Sequence, residues 1–319
     1  MKKKEIIKYL VFASIGVLVF YFIQRDFSMD EFLQAIRLAK VQYVICSVLV
    51  GVLAVFIRGL RWQLLLKPLG YKTRLSNAYH ATMSGYLVNL GIPRSGEVYR
   101  CAVFSKSDNV PVNVLVGTVL SERILDLVML LVVVIGSLLL QFDLLYDYID
   151  TELFSRIKDN SFGIAVLVIM MLAGLVFVFK ARSIFNADTK IGKLFLGFFD
   201  GIKSIFTLKQ PVLFMFYTIG IWVCYWLMTY TILLAFDSTE HLGAAGGLST
   251  LVFSSLGVIV PAPAGSATIF SIYFGLNQIY GIPLKMAKAL GVVMFSSNII
   301  MIILAGTVSY LVMAKRTKA

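Results

Sequence analysis

Asn89-Leu-Gly-Ile-Pro-Arg-Ser-Gly-Glu-Val-Tyr-Arg100 interrupts a series of membrane-length apolar runs with one proline, two glycines and three charges. Pro93 and Gly96 break the backbone, and Arg94, Glu97 and Arg100 set charge beside the break. A broken backbone at membrane depth is tolerated only where it is buried in protein or lines a wet cavity. Val260-Pro-Ala-Pro-Ala-Gly-Ser266 is a second break, carrying Pro261, Pro263 and Gly265 but no charge. Two such breaks in corresponding halves of a chain point to the binding site of a transporter.

The 319 residues around these breaks are 59% hydrophobic and 14% charged, with a mean hydropathy of +0.87. Soluble domains hold about a quarter charged residues. Apolar runs long enough to span about 30 Å of hydrocarbon recur along the chain. The composition predicts an all-α polytopic membrane protein, one integral domain over 1–319 with no separate globular part. The run after Met-Lys-Lys-Lys-Glu has no convincing cleavage site and reads as an uncleaved first span. The net charge of +12 is spread over particular loops and lacks any recognition module, which argues against nucleic acid. Cys46, Cys101, Cys224, His80 and His241 are too isolated to form a disulfide framework or a metal site, so no metal or other cofactor is expected.

Full spans are expected at 6–23, 41–57, 110–140, 162–179, 211–236 and 290–313, with hairpins at 75–104 and 243–280. Basic loops follow 57, fill 180–210 and end the chain, whereas 141–160 is acidic. The positive-inside rule then puts both termini in the cytoplasm of a cell-membrane protein, with the first hairpin entering from inside and the second from outside. Six full spans plus two re-entrant hairpins satisfy this parity, and so do ten spans if both hairpins cross fully. Val110-Pro111 and Ile282-Pro283 open the spans after the two hairpins. Each half, about 1–141 and 161–315, thus reads as three spans and one re-entrant or broken-helix hairpin. An odd number of crossings makes the repeat inverted.

Glu122, Arg123 and Asp126 lie inside a span, three or four residues apart, and share a sector of the helix. Each charge at the centre of a span costs about 3 kcal/mol, so the group needs partners or water. One reading is a self-satisfied Arg123–Asp126 pair that locks packing; the other is a polar cavity in which these residues bind or gate a substrate. If transport is ion-coupled, Glu122 is the candidate proton carrier. A half-helix beginning after Pro93 would turn its N–H groups and Arg94 towards a phosphate, with Glu97 as the resting partner. Arg58 and Arg61 share a face near Trp62, and are read either as snorkelling interfacial anchors or as headgroup ligands. Asn298 falls opposite Asp126 when the halves are aligned.

Arg58-x-x-Arg61-Trp62-x-x-Leu65-Leu66, Asn89-x-x-x-Pro93-Arg94-x-Gly96-Glu97-x-x-Arg100, Glu122-Arg123-x-x-Asp126 and Pro261-x-Pro263-x-Gly265 together resemble the lysylphosphatidylglycerol synthase transmembrane region. This is the flippase-like module of MprF-type proteins, and the resemblance covers nearly the whole chain. It implies translocation of aminoacylated phosphatidylglycerol or of a polyprenyl-linked lipid. No aminoacyltransferase or glycosyltransferase domain falls within these residues, so the translocation half is expected without the synthesis half. The resulting expectation is a lipid translocase rather than an enzyme. Its partners would be lipids with anionic or zwitterionic headgroups, and a separate lipid-modifying enzyme. The alternatives are an intramembrane enzyme acting on a lipid phosphate and a non-transporting scaffold for a synthase.

Overall fold

The computed structural model describes residues 33, 36–92, 95–142, 144, 207–259 and 266–317. The spans expected at 6–23 and 162–179, and the break residues Pro93, Arg94, Pro261, Pro263 and Gly265, lie outside them. All regular structure among the described residues is helical, as hydrocarbon demands of a chain that satisfies its own backbone.

Among the described residues, four helices are long and apolar enough to cross a membrane: α1 (Val41–Leu66), α4 (Val112–Leu140), α5 (Pro211–Leu234) and α9 (Leu284–Arg316). A 3₁₀ turn, Lys67–Leu69, extends α1. The first hairpin is α2 (Leu75–Gly91) and α3 (Gly96–Asp108). After α5 come the single turn α6 (Asp237–Glu240) and the second hairpin, α7 (Gly243–Ile259) and α8 (Ser266–Gln278). The arms match in length: 17 residues for α2 and α7, 13 for α3 and α8. At 1.5 Å per residue they rise about 25 and 20 Å, short of a full crossing.

Two boundaries depart from the sequence reading. The helix expected to end its span at residue 57 runs unbroken to Leu66, so Arg58 and Arg61 lie within it rather than past it. The last helix begins at Leu284, directly after the Ile282-Pro283 that opens it and ahead of the apolar stretch expected from 290; Pro283 at its N-cap gives up only an N–H that would have no partner.

The two hairpins are based at opposite ends of the bundle, each in its own apolar core. At one end Trp62, Leu65, Leu66, Phe104, Val110, Phe214 and Met313 pack together. At the other, Ile232, Phe236, Ile272, Leu276, Ile282 and Leu290 do so. Each hairpin exits through a left-handed residue (Asn109, φ 54°; Gly281, φ 64°), then a buried aliphatic (Val110, Ile282), then a proline. A polar latch closes each base. Arg316 donates to Ser76 at 3.0 Å and to Asn77, and Asn77 donates to Asp108 at 2.7 Å. Gln141 donates to the Ala245 carbonyl at 2.7 Å and accepts from the Tyr280 hydroxyl at 2.5 Å. Beside this second end, Lys40 bridges Asp237 at 2.7 Å and Glu240 at 2.9 Å, and the two carboxylates hold its ammonium charged well above the ordinary lysine range.

Near its tip the first hairpin closes on glycine. Asn89 accepts the Gly96 N–H at 2.6 Å, satisfying one of the donors at the start of α3. A Cβ at Gly96 would run into the Gly85 carbonyl oxygen and the Asn89 side chain, so the two arms touch backbone to backbone. Between the two ends, α1 packs along α5, α9 against α2, and α7 against α4.

Candidate functional site

Helices α1, α2, α4, α5, α7, α8 and α9 line a partly open cavity of about 520 Å³ between the two cores. Most of its wall is apolar, with Val55, Leu127, Leu130, Trp222, Met228, Phe295 and Met301. Its polar lining comprises Arg58, Tyr86, Arg123, Asp126 and Tyr225, and, on α7 and α9, the uncharged Ser254, Ser255 and Asn298. Apolar walls with a few convergent polar groups are the usual make-up of a small-molecule site.

The charged side continues into protein as a layered cluster. Asp126 accepts from Arg58 and from Arg61 Nη2, the latter at 2.9 Å. One turn earlier on α4, Glu122 accepts from Arg100 Nη2 at 2.6 Å and lies 3.8 Å from Arg61. The i, i+4 spacing of the carboxylates meets the i, i+3 spacing of Arg58 and Arg61 across the α1–α4 contact, so each acid finds a base at its own level. Arg61 and Glu122 are fully buried, and Arg58 and Arg100 nearly so. Arg100 also lies over the Trp62 ring, 4.8 Å from its centroid. That ring stacks on Phe104 and donates from Nε1 to Thr118 at 2.9 Å. Arg123 stands half-exposed at the cavity edge, paired with Glu97 on α3 and 3.7 Å from Asp126.

This geometry corrects the readings of several charges. Arg58 and Arg61 do not snorkel to an interface, because Asp126 and Glu122 on the facing helix hold them inside. Arg123 is engaged first by Glu97 rather than locked to Asp126. Glu97 is therefore taken by Arg123, while Arg94 lies outside the described residues. Arg58, Arg123 and Asp126 line the cavity; Arg61, Arg100 and Glu122 form the layer behind it; Asn89 and Gly96 close the hairpin.

Two tyrosines were not singled out by sequence reasoning. Arg58 Nη1 donates to the Tyr86 hydroxyl at 3.1 Å and to the Tyr225 hydroxyl at 2.9 Å. A tyrosine in an apolar run reads as packing or an interfacial anchor, and Tyr225 lies 167 residues from its arginine, so no local pattern joins them.

Among the described residues, four arginines (58, 61, 100 and 123) stand against three carboxylates (Glu97, Glu122 and Asp126), leaving one net positive charge. Several buried donors, among them Arg58 Nε, Arg61 Nη1, Arg100 Nη1 and Arg123 Nε, have no hydrogen-bond partner among the described residues. Native interiors leave few such groups, and their concentration here marks the cluster as built for more than packing.

Fold and cavity together define a multi-pass helical membrane protein with a charged internal site. The chain belongs to the family described as the lysylphosphatidylglycerol synthase TM region, whose model matches residues 6–306. It is similar to a UPF0104 membrane protein of Methanocaldococcus jannaschii, 27% identical over 129 residues. That alignment covers 40% of this chain and 38% of the relative's length. No solved structure matches the chain.

Proposed function

We propose that the protein is a lipid translocase, a transporter rather than an enzyme, which shelters a phospholipid headgroup in the central cavity while the acyl chains stay in the bilayer. The observation that carries this reading is the cavity itself: an apolar-walled space between the two cores at which the hairpins are based, lined in part by guanidinium groups. Membership of a family named for lysylphosphatidylglycerol synthesis supports a role in lipid chemistry.

An inverted repeat is the architecture this function calls for, and the matched hairpins support it. Leu75–Gly91 falls on Gly243–Ile259, and Gly96–Asp108 on Ser266–Gln278, residue for residue in length. Carrying the register from Pro111 and Pro283 into α4 and α9 lays Asp126 on Asn298, Arg123 on Phe295 and Leu130 on Ile302. All six residues line the cavity, as a site on a pseudo-twofold axis requires. We assign the end with Lys67, Lys72, Arg74, Lys106, Lys315 and Arg316 to the cytoplasm of a cell membrane, by the positive-inside rule. Re-entrant hairpins, which the short arms favour, would then enter from opposite faces.

The test is leaflet exchange of fluorescent phospholipids in proteoliposomes, read by quenching of the outer leaflet. Wild type is expected to speed exchange over protein-free vesicles, and Arg123→Gln to lose most of that gain while reconstituting normally. Unchanged lipid asymmetry with wild type, or chemical alteration of the lipid, would overturn the reading.

A further inference from the structure

We infer that Tyr86 and Tyr225 are substrate-recognition residues, and that the headgroup they read is a phosphodiester carrying a single negative charge. The inference deepens the translocase reading and rests on it for the lipid nature of the occupant, but binding can be measured apart from movement.

Three observations lead there. First, both phenol oxygens accept from the same Arg58 Nη1. A phenol that accepts still has its own proton to donate. Among the described residues neither proton has an acceptor, and both side chains line the cavity. Second, Arg58 is committed elsewhere, with Nη1 on the two tyrosines and Nη2 on Asp126. It acts as a positioning residue: it fixes the phenols from two distant parts of the chain around one point. Arg123 lines the same cavity, and although Glu97 pairs with its Nη2, its Nε has no partner among the described residues. Two O–H donors and one guanidinium lining one largely apolar cavity suit a phosphate's non-bridging oxygens.

Third, charge balance selects the class. Among the described residues the cluster's single excess positive charge is neutralised by one negative charge, whereas a dianion or a cation would leave net charge among apolar walls. Every carboxylate is already engaged: Asp126 by Arg58 and Arg61, Glu122 by Arg100, Glu97 by Arg123. None remains for a headgroup ammonium, so zwitterionic and aminoacylated lipids fit worse than a monoanion with an uncharged head. Ser254, Ser255 and Asn298, which line the cavity on α7 and α9, offer hydroxyl and amide groups to that uncharged part.

Binding is measured on the full chain in detergent by thermal stabilisation with short-chain lipids. The probes are dihexanoyl phosphatidylglycerol, phosphatidic acid and phosphatidylcholine, with glycerol phosphate for the phosphate without chains. Phosphatidylglycerol is expected to bind best. Tyr86→Phe and Tyr225→Phe are each expected to weaken it about tenfold, the loss of one hydrogen bond to a charged group, with little change in the melting temperature without lipid. Equal binding by phosphatidylcholine, tighter binding by phosphatidic acid, or no effect of either phenylalanine would overturn the inference. Glycerol phosphate binding as well as the lipid would assign the site to free phosphate and overturn it too. Selective phosphatidylglycerol binding with no leaflet exchange would uphold this site and sink the translocase reading. Exchange without that selectivity would do the reverse.

Discussion

Glu122→Ala is expected to deplete the folded protein, at a cost of about 3–5 kcal/mol. The carboxylate is fully buried against Arg100 at 2.6 Å and within 3.8 Å of Arg61. Its removal leaves Arg100 without a counter-charge among the described residues, over the Trp62 ring. Breaking one side of a buried pair costs far more than replacing both with apolar groups of similar volume. Glu122→Leu combined with Arg100→Leu should therefore recover much of what Glu122→Leu alone loses. The check is the fraction of detergent-purified protein still monodisperse after heating. A single Glu122→Ala variant melting like wild type would mean that the inner layer does not hold the helices together.

Gly96→Val is expected to be nearly as severe, by steric rather than electrostatic means. Its Cβ would collide with the Gly85 carbonyl oxygen, which is backbone and has no rotamer in which to retreat. Forcing the arms apart also stretches the Asn89 hydrogen bond to the Gly96 N–H, so about 3 kcal/mol or more is at stake. Gly136→Ala is the control. Its added methyl would meet only Leu248 Cδ2 at 3.8 Å, and alanine is the better helix former. The same melting assay should show loss for Gly96→Val and no loss for Gly136→Ala.

These two positions show what could be read from the sequence alone. The Pro93–Gly96 break marked the hairpin because glycine and charge inside apolar sequence have few other uses at membrane depth. Val110-Pro111 and Ile282-Pro283 marked where the following helices begin, since proline is favoured in a first turn. The spacing of Glu122 and Asp126 showed that they share a face. Nothing in that spacing says which helix the face meets. Arg58 and Arg61 accordingly allowed a reading as surface anchors until the α1–α4 contact brought the carboxylates to them. Asn89 stands in the motif that carries the family resemblance, and its oxygen accepts the Gly96 N–H at 2.6 Å to close the turn, a local role that the motif does not reveal. Tyr86 and Tyr225 carry no sequence signal at all, because their role exists only once two helices distant in sequence bracket Arg58.

The most direct test of the cavity as the lipid path is to block and reopen it in the same vesicles. Asn298 lines the cavity and is exposed; Cys46 is an exposed native thiol, while Cys101 and Cys224 are buried. Asn298→Cys in a Cys46→Ser background, reconstituted with fluorescent phosphatidylglycerol, is treated with a bulky thiosulfonate and then with reductant. Leaflet exchange should stop on labelling and return on reduction. Exchange that continues unchanged with the thiol fully labelled would contradict a path through the cavity.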